Sequence, residues 1–302
     1  MRVQVILNPW ADRGRAVRLK DDLGAWGAQH GGLEVVLTQS PGHAAMLARA
    51  AAEAGYDRIG IAGGDGTVHE VVNGLVGVPA VDQPAVGLIP IGSGNDYAFG
   101  AGLLAPAHEA VERLYHGEVR AMDLAKIVDD HGRTRHVING IGIGFDAAIA
   151  IATSKIKRLH GFAAYFVAAL QTIALHYERP QFDVHFDDNG VSQPSLLLAI
   201  GVGPRIGGGF LLTPDAAFDD GLLDSCLVDS VGRFTMLRML PRVMKGTHIT
   251  ADIVQMRRSR TIDLRSDLPL PVHLDGEIFA TAEDDVHELT IEVVPGALAL
   301  VF

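Results

Sequence analysis

The sequence predicts a doubly wound α/β domain followed by an antiparallel β-sandwich domain, on three observations. Strand and helix patterns alternate through the first third of the chain. Glycine-rich polar segments follow three of those early strands. From about Met122 the pattern changes to short strands separated by turn signals. Alternating strands and helices pair in parallel through right-handed crossovers, whereas closely spaced strands with tight turns stack as antiparallel layers. The boundary falls near residue 122, giving domains 1–122 and 123–302, with the last strand free to return to the first domain.

In the first domain Val3–Leu7 reads as a strand and Arg15–Gln29 as a helix with Val17, Leu19, Leu23 and Trp26 among its apolar positions. Leu33–Leu37 is the second strand, and an alanine-rich helix from His43 to Ala54 stops at Gly55. Arg58–Ala62 is the third strand. It runs into Gly63-Gly64-Asp65-Gly66-Thr67, after which Val68, Val71, Val72 and Leu75 recur at helical spacing with Thr67 as the expected N-cap. Ala85–Pro90 is a fourth strand and Pro106–His116 a further helix. In the second domain strands are expected at Asp123–Val128, Arg135–Ile138, Phe182–Phe186, Leu196–Val202, Leu222–Val228, Thr261–Leu264, Val272–Leu274, Leu289–Val294 and Leu298–Phe302. Helices are expected at Ser154–Tyr177 and Thr235–Lys245.

With 302 residues, 48% hydrophobic and 20% charged, the composition is that of a globular protein whose core needs no staples. One cysteine, Cys226, excludes an internal disulfide framework. The first residues read as a strand rather than a signal peptide, so a cytoplasmic protein is expected. The charge-free Gly161–Leu175 stretch is shorter than the roughly 20 residues a spanning helix needs. A net charge of −11 argues against nucleic acid as a partner and leaves membrane contact to local basic clusters, Lys155, Lys157 and Arg158 being one and Arg257, Arg258 and Arg260 another.

Ligands of open parallel sheets sit beyond the carboxyl ends of the strands. Asn8–Gly14, Gly63–Thr67 and Ile91–Asp96 all follow strands of the parallel series, so three polar loops converge on one rim. Glycines there let backbone N–H groups approach an anionic oxygen, and the helix that follows adds its positive dipole end, the arrangement that stabilises a phosphate. Asp65 would repel that phosphate unless a divalent cation stands between them or it orients the loop. Each loop alone has a plain reading as a turn or helix entry; their convergence carries the argument. Further on, Asp219-Asp220-Gly221 and Asp275-Gly276-Glu277 place carboxylates around glycines, suiting either a tight turn or, respectively, a hard cation and a general base.

Across nearly its full length the chain resembles the diacylglycerol kinase catalytic-domain family, in particular bacterial soluble lipid kinases related to sphingosine and ceramide kinases. The resemblance rests on AGGDGTVHEVVNGL (62–75), PIGSGNDYA (90–98), MDLAKI (122–127), NGIGIGFDA (139–147), GGGFLLTPDAAFDDGLLD (207–224) and LDGE (274–277). The glycine loop alone is shared with NAD kinases and, with variation, phosphofructokinases. The resemblance implies transfer of the ATP γ-phosphate to a lipid hydroxyl, with the active site in the interdomain cleft and magnesium as cofactor. It places nucleotide contacts on Asn8, Thr38, Gly63, Gly64, Asp65, Gly66, Thr67, Glu70, Ser93, Asn95 and Asp96. The base or its close partner falls on Glu277 with Asp275. Metal ligation falls on Asp220, the carbonyls of Ala217 and Leu222, and Asp123, which with Asp65 and Asp96 links metal, water and phosphate. Three departures stand out: Ser93 replaces a usual threonine, Trp10-Ala11-Asp12-Arg13 interrupts the first loop, and Val202 stands where asparagine is frequent. The expected partners are a lipid substrate at a membrane surface, met peripherally at its inner face, and a second copy in a homodimer. Two rivals remain: a kinase of NAD or another small molecule using the same glycine loop, and a lipid-binding protein without catalysis.

Overall fold

A computed structural model describes every residue except Lys157, Arg158, His160, His176 and Tyr177. The chain divides into two compact units, Met1–Met122 with Gly296–Phe302, and Asp123–Pro295.

The first unit is a parallel sheet. β1 (Val3–Leu7) pairs with β2 (Glu34–Leu37) on one side and β3 (Arg58–Gly63) on the other; β4 (Ala85–Pro90) follows β3. β1 is buried at every position, as a strand covered on both faces must be. On one face α2 (Leu19–Ala28) and α6 (Ala107–His116) bring Leu23, Val111 and Leu114 onto Val3, Val5 and Leu7. Elsewhere α3 (His43–Glu53) packs against α4 (Asp65–Leu75), so closely that a Cβ on Gly74 would sit 2.3 Å from the Ala45 carbonyl oxygen. Short helical turns fill the rim: α1 (Ala11–Gly14), with Asp12 and Arg13 at φ 45 and 58, and α5 (Asp96–Gly100).

The second unit begins within β5 (Val119–Asp129), which forms a hairpin with β6 (Thr134–Val137). One antiparallel sheet runs β14 (Glu277–Ala280), β13 (Val272–Leu274), β7 (Gly140–Gly144), β9 (Asn189–Gly201), β10 (Leu223–Asp229), β11 (Val254–Ser259). The other pairs the first half of β9 with β8 (Gln181–Phe186), then β12 (Thr261–Ser266) and β15 (Glu288–Val301). β9 therefore serves both sheets: residues 189–194 pair with β8, and the following residues cross to β7 and β10. In β8 the inward Phe182, Val184 and Phe186 are buried, the period-2 pattern of a sheet covered on one face. Among the described residues three α-helices complete the unit: α7 (Phe145–Ser154), α8 (Gly161–Leu175) and α9 (Arg233–Met244). Among the described residues no helix is long and apolar enough to cross a membrane.

Several expectations are corrected. The helix expected over Ser154–Tyr177 is shorter: α8 begins only at Gly161, which has a left-handed φ of 57, and is described to Leu175, while Ser154 closes the preceding helix α7; Tyr177 lies outside the described residues, as do Lys157 and Arg158 of the basic cluster. Leu289–Val294 and Leu298–Phe302 are not two strands but one, β15, with Gly296 at φ 61 bending it. β7, α7 and β11 were absent from the expected series. The first two lie in a stretch of glycine, alanine and isoleucine whose small residues weaken strand and helix signals, and β11 is rich in charge and polar residues. Thr67 is not the N-cap of α4. The helix starts three residues earlier, at Asp65 with Gly64 in the capping position, and Thr67 is buried inside the first turn.

Candidate active site

In the first unit, β3 delivers Gly63 to the sheet's carboxyl end and the chain turns directly into α4. The second loop folds back on the first: Ile91 N–H donates to the Gly63 carbonyl at 3.1 Å. Their backbones then meet. A Cβ on Gly92 would lie 2.3 Å from the Gly64 Cα, and one on Gly64 would lie 3.1 Å from the Gly92 Cα. Gly64 has φ −102, ordinary extended backbone, so close approach rather than an unusual dihedral demands glycine here. Asn95, at φ 53, fastens the second loop by accepting from Gly92 N–H at 2.9 Å and donating to the Gly92 carbonyl at 3.0 Å.

The side chains of the rim lock the loops together. Asn8 Nδ2 donates to Thr67 Oγ1 at 3.0 Å, while its Oδ1 accepts from Trp10 N–H at 3.0 Å. Asp65 Oδ1 accepts from Tyr97 N–H at 3.1 Å, tying the first glycine turn to the helix after the second. This is the loop-orienting role for Asp65. Glu70 Oε2 accepts from Ala44 N–H at 3.1 Å, satisfying a donor in the first turn of α3. Thr38 is buried, with its N–H on the Leu7 carbonyl at 3.0 Å, and Asp96 is buried at the start of α5. Ser93 is exposed at the tip of the second loop. Asn8, Gly63–Thr67, Ser93, Asn95 and Asp96 are thus brought onto one rim, presenting the N-terminus of α4.

In the second unit the two carboxylates of Asp275-Gly276-Glu277 have different surroundings. Asp275, at φ 53 in the β13–β14 turn, accepts from three successive backbone amides: Ile138 at 3.1 Å, Asn139 at 2.9 Å and Gly140 at 2.9 Å. Its own N–H donates to the Gly140 carbonyl at 2.8 Å. Glu277 is exposed at the start of β14. Asp275 fastens the turn, and Glu277 is left exposed beside it.

Behind that turn stands a buried group the sequence reading did not single out. His273 Nε2 faces Asp146 Oδ2 at 3.0 Å, with both residues almost wholly buried, and Tyr165 Oη donates to the other Asp146 oxygen. His273 Nδ1 accepts from Gly276 N–H at 3.3 Å, so the proton sits on Nε2 and is donated to Asp146. The partners are 127 residues apart in sequence, and only the NGIGIGFDA segment, which contains Asp146, and the histidine before LDGE marked them.

The expected metal residues form a second cluster. Asp123, buried, accepts from Gly221 N–H at 2.7 Å and donates its own N–H to the Phe218 carbonyl at 2.6 Å. Asp220 Oδ1 accepts from Leu222 N–H at 3.1 Å, and its other oxygen is hydrogen-bonded to Arg258. Arg258 Nε also lies 3.4 Å from Asp224 Oδ2, a buried oxygen without a hydrogen-bond partner. Burial pushes the Asp224 carboxyl up, against the opposing pull of Arg258. Every candidate ligand here is an oxygen, and the Asp224 oxygen, ion-paired with Arg258, is a further acceptor. The set therefore fits a hard cation that keeps several waters, provided Arg258 yields its hold on Asp220. Among the described residues no three carboxylate, histidine or cysteine side chains gather as a ready cluster.

The second unit also holds a partly open apolar cavity of about 80 Å³, walled by Phe145, Ile173, Leu197, Met236, Leu240 and their neighbours, with Asp146, Tyr165 and His248 its residues that carry polar groups. His248 is buried, with Nε2 on the Leu212 carbonyl at 3.1 Å; burial pulls its pKa down, so the ring is neutral. Burial pushes the Cys226 thiol up to about 12, which removes it as a nucleophile. Val202 is buried as an ordinary core residue.

Comparison with known proteins agrees with this equipment. Residues 2–127 match the diacylglycerol kinase catalytic domain, and residues 139–302 match the YegS C-terminal NAD kinase beta sandwich-like domain. A YegS-like lipid kinase of Chromohalobacter salexigens is 34% identical over 89% of this chain and 83% of its own length. A diacylglycerol kinase of Mycobacterium tuberculosis is 31% identical over 98% of this chain and 94% of its own. A crystal structure of a diacylglycerol kinase from Bacillus anthracis shares the fold with TM-score 0.75 and 22% identity, covering 100% of this chain and 96% of that one. Fold, loops and relatives define the class as ATP-dependent lipid kinases. Within it, the chain belongs to the diacylglycerol kinase catalytic-domain family with a YegS-type C-terminal domain.

Proposed function

We propose that the protein phosphorylates the free hydroxyl of diacylglycerol, with Glu277 accepting the alcohol proton. The cavity carries the acceptor assignment: a partly open volume walled by aliphatic and aromatic side chains suits the start of an acyl chain and has no use for NAD or a sugar phosphate. As it stands it takes a few methylene groups, so longer chains require its walls to yield.

Phosphoryl transfer asks the protein mainly for in-line positioning and neutralisation of charge on the transferred group. In this reading the amides at the start of α4 hold the nucleotide phosphates, with Asn8 and Asn95 keeping the loops in register. Ser93 supplies a hydroxyl at the rim. Glu277 takes the proton as the alcohol oxygen attacks, worth roughly 10²–10⁴ in rate. Asp275 and His273 hold the turn that presents it. Magnesium, when bound, would neutralise triphosphate charge, with Asp65 and Asp96 the carboxylates nearest it on the rim; in the second unit Asp123 and Asp220 with the carbonyls of Ala217 and Leu222 would hold a structural ion. The homodimer and peripheral attachment at the inner membrane face belong to the same reading.

The test is labelled ATP and magnesium with a total lipid extract, then with purified diacylglycerol, phosphatidylglycerol and a sphingoid base. Phosphatidic acid as the main product supports the assignment. Phosphorylation of another lipid moves it to that acceptor, phosphorylation of NAD alone restores the small-molecule kinase, and binding without turnover restores the non-catalytic reading.

A further inference from the structure

We propose that the outward face of α9 seats this protein on a bilayer rich in anionic phospholipid. The proposal rests on the lipid-kinase reading only for its purpose; the surface itself is argued from the helix.

α9 carries two apolar stripes where a surface helix needs one. Met236, Met239, Leu240 and Val243, at i, i+3, i+4 and i+7, turn inward and wall the cavity. Phe234, Leu237, Pro241 and Met244, at i, i+3, i+7 and i+10, fall on the opposite side, and all four are exposed. Phe234 is 86% exposed, Leu237 42% and Met244 37%, too much contiguous apolar surface for a face with no partner. The neighbouring α8 adds Leu175, 74% exposed.

Charge names the partner. At 100° per residue Arg233 flanks this stripe on one side and Arg238 and Lys245 on the other, with Arg242 one step further round. Arg242 is held at the helix end by the Thr247 carbonyl at 3.1 Å and Thr250 Oγ1 at 2.9 Å. Residues 230–251 contain these cations and not one Asp or Glu, in a chain of net charge −11; the nearest acids are Asp229 and Asp252, at the segment's two ends. An apolar stripe bordered by arginine and lysine is the pattern of a helix lying in the headgroup layer, apolar side down and cations on lipid phosphates. Because the same helix walls the cavity, its seating would bring the acyl site to the bilayer. Among the described residues this is a fuller surface than the basic cluster before α8, of which only Lys155 is described.

The experiment uses the full chain without ATP and vesicles of equal parts phosphatidylglycerol and phosphatidylcholine, against phosphatidylcholine alone. Wild type should float with the anionic vesicles and release in high salt. Phe234→Ser with Leu237→Ser should lose at least tenfold in binding, and Arg238→Glu with Lys245→Glu should lose about fivefold or more per cation removed. A Phe234→Trp variant should be quenched by brominated lipid beyond the quenching of native Trp10 and Trp26. Turnover of vesicle-borne diacylglycerol should fall with binding, while a short-chain diacylglycerol below its micellar concentration is turned over within twofold of wild type. Unchanged flotation of both double variants, or an equal fall on both substrates, overturns the proposal. So does a solution dimer that Phe234→Ser disperses while vesicle binding persists, which assigns the face to a second copy. Bromolipid quenching of the Phe234→Trp variant without phosphorylation of any lipid leaves the surface standing and removes the kinase reading instead.

Discussion

The glycine rim of the first unit and the carboxylate turn of the second are both short glycine-bearing segments, yet they are held in different ways. The rim is held backbone to backbone, Gly64 against Gly92, with Asn95 fastening its own loop three residues back. The Asp275–Glu277 turn is held by side chains reaching far along the sequence: Asp275 to the amides of residues 138–140, and His273 to Asp146. A rim of backbone amides tolerates changes of side chain but not added bulk. A turn held by a carboxylate and an imidazole tolerates bulk but not loss of charge or donors.

The comparison is broken or sharpened most strongly by exchanging the two carboxylates. Glu277→Gln should lower kcat by roughly 10²–10⁴ with thermal stability unchanged. Asp275→Ala should instead destabilise the second unit by roughly 3 kcal/mol or more, since charge-assisted bonds to three buried amides are lost. Denaturant titration beside steady-state kinetics reads both; a stable Asp275→Ala enzyme with Glu277-like kinetics would reverse the two roles. Next in size, Gly92→Ala should cost about 10²-fold in kcat/KM for ATP, because its Cβ would displace the Gly64 backbone. Near-normal ATP kinetics in that variant would show that the loops have slack.

The smallest effect is a pH slope. His248 is held neutral by burial, its folded pKa depressed below 6.5, so the unfolded chain binds a proton that the folded one refuses. Its contribution is intact above pH 6.5 and is lost as pH falls from there toward the folded value. His248→Phe should flatten that part of the stability curve in denaturation series across mildly acidic pH; an unaltered slope would assign it to other groups.

How far the sequence disclosed all this follows from the same contrast. Gly63–Thr67 and Ile91–Asp96 were legible because each is a compact glycine-bearing run directly after a strand, and alternating patterns identified the sheet carrying them; that the two lock together, Gly64 on Gly92, was not. The start of α4 was misplaced because Thr67 looks like a cap, while its hydroxyl is engaged by Asn8, 59 residues upstream. Asp275 and Glu277 were visible as a pair, but their division of labour depends on amides about 136 residues away. The pairing of Asp220 with Arg258, and the Asp146–His273–Tyr165 group, bridge strands and helices with no local signal between them. The apolar face of α9 was masked by its arginines, which lower the helix's overall hydrophobicity without covering Phe234.

The path of β15 has a consequence for how the chain is made. Its far end, Leu298 to Val301, is buried in the first unit beside β4, and Phe302 exchanges backbone hydrogen bonds with Glu118. On the ribosome, residues 1–122 emerge early but wait for a strand translated some 170 residues later. The second unit is contiguous and completes itself first, so the nucleotide half would mature last. A released chain truncated after Pro295 should therefore hold a protease-resistant second unit and a labile first one.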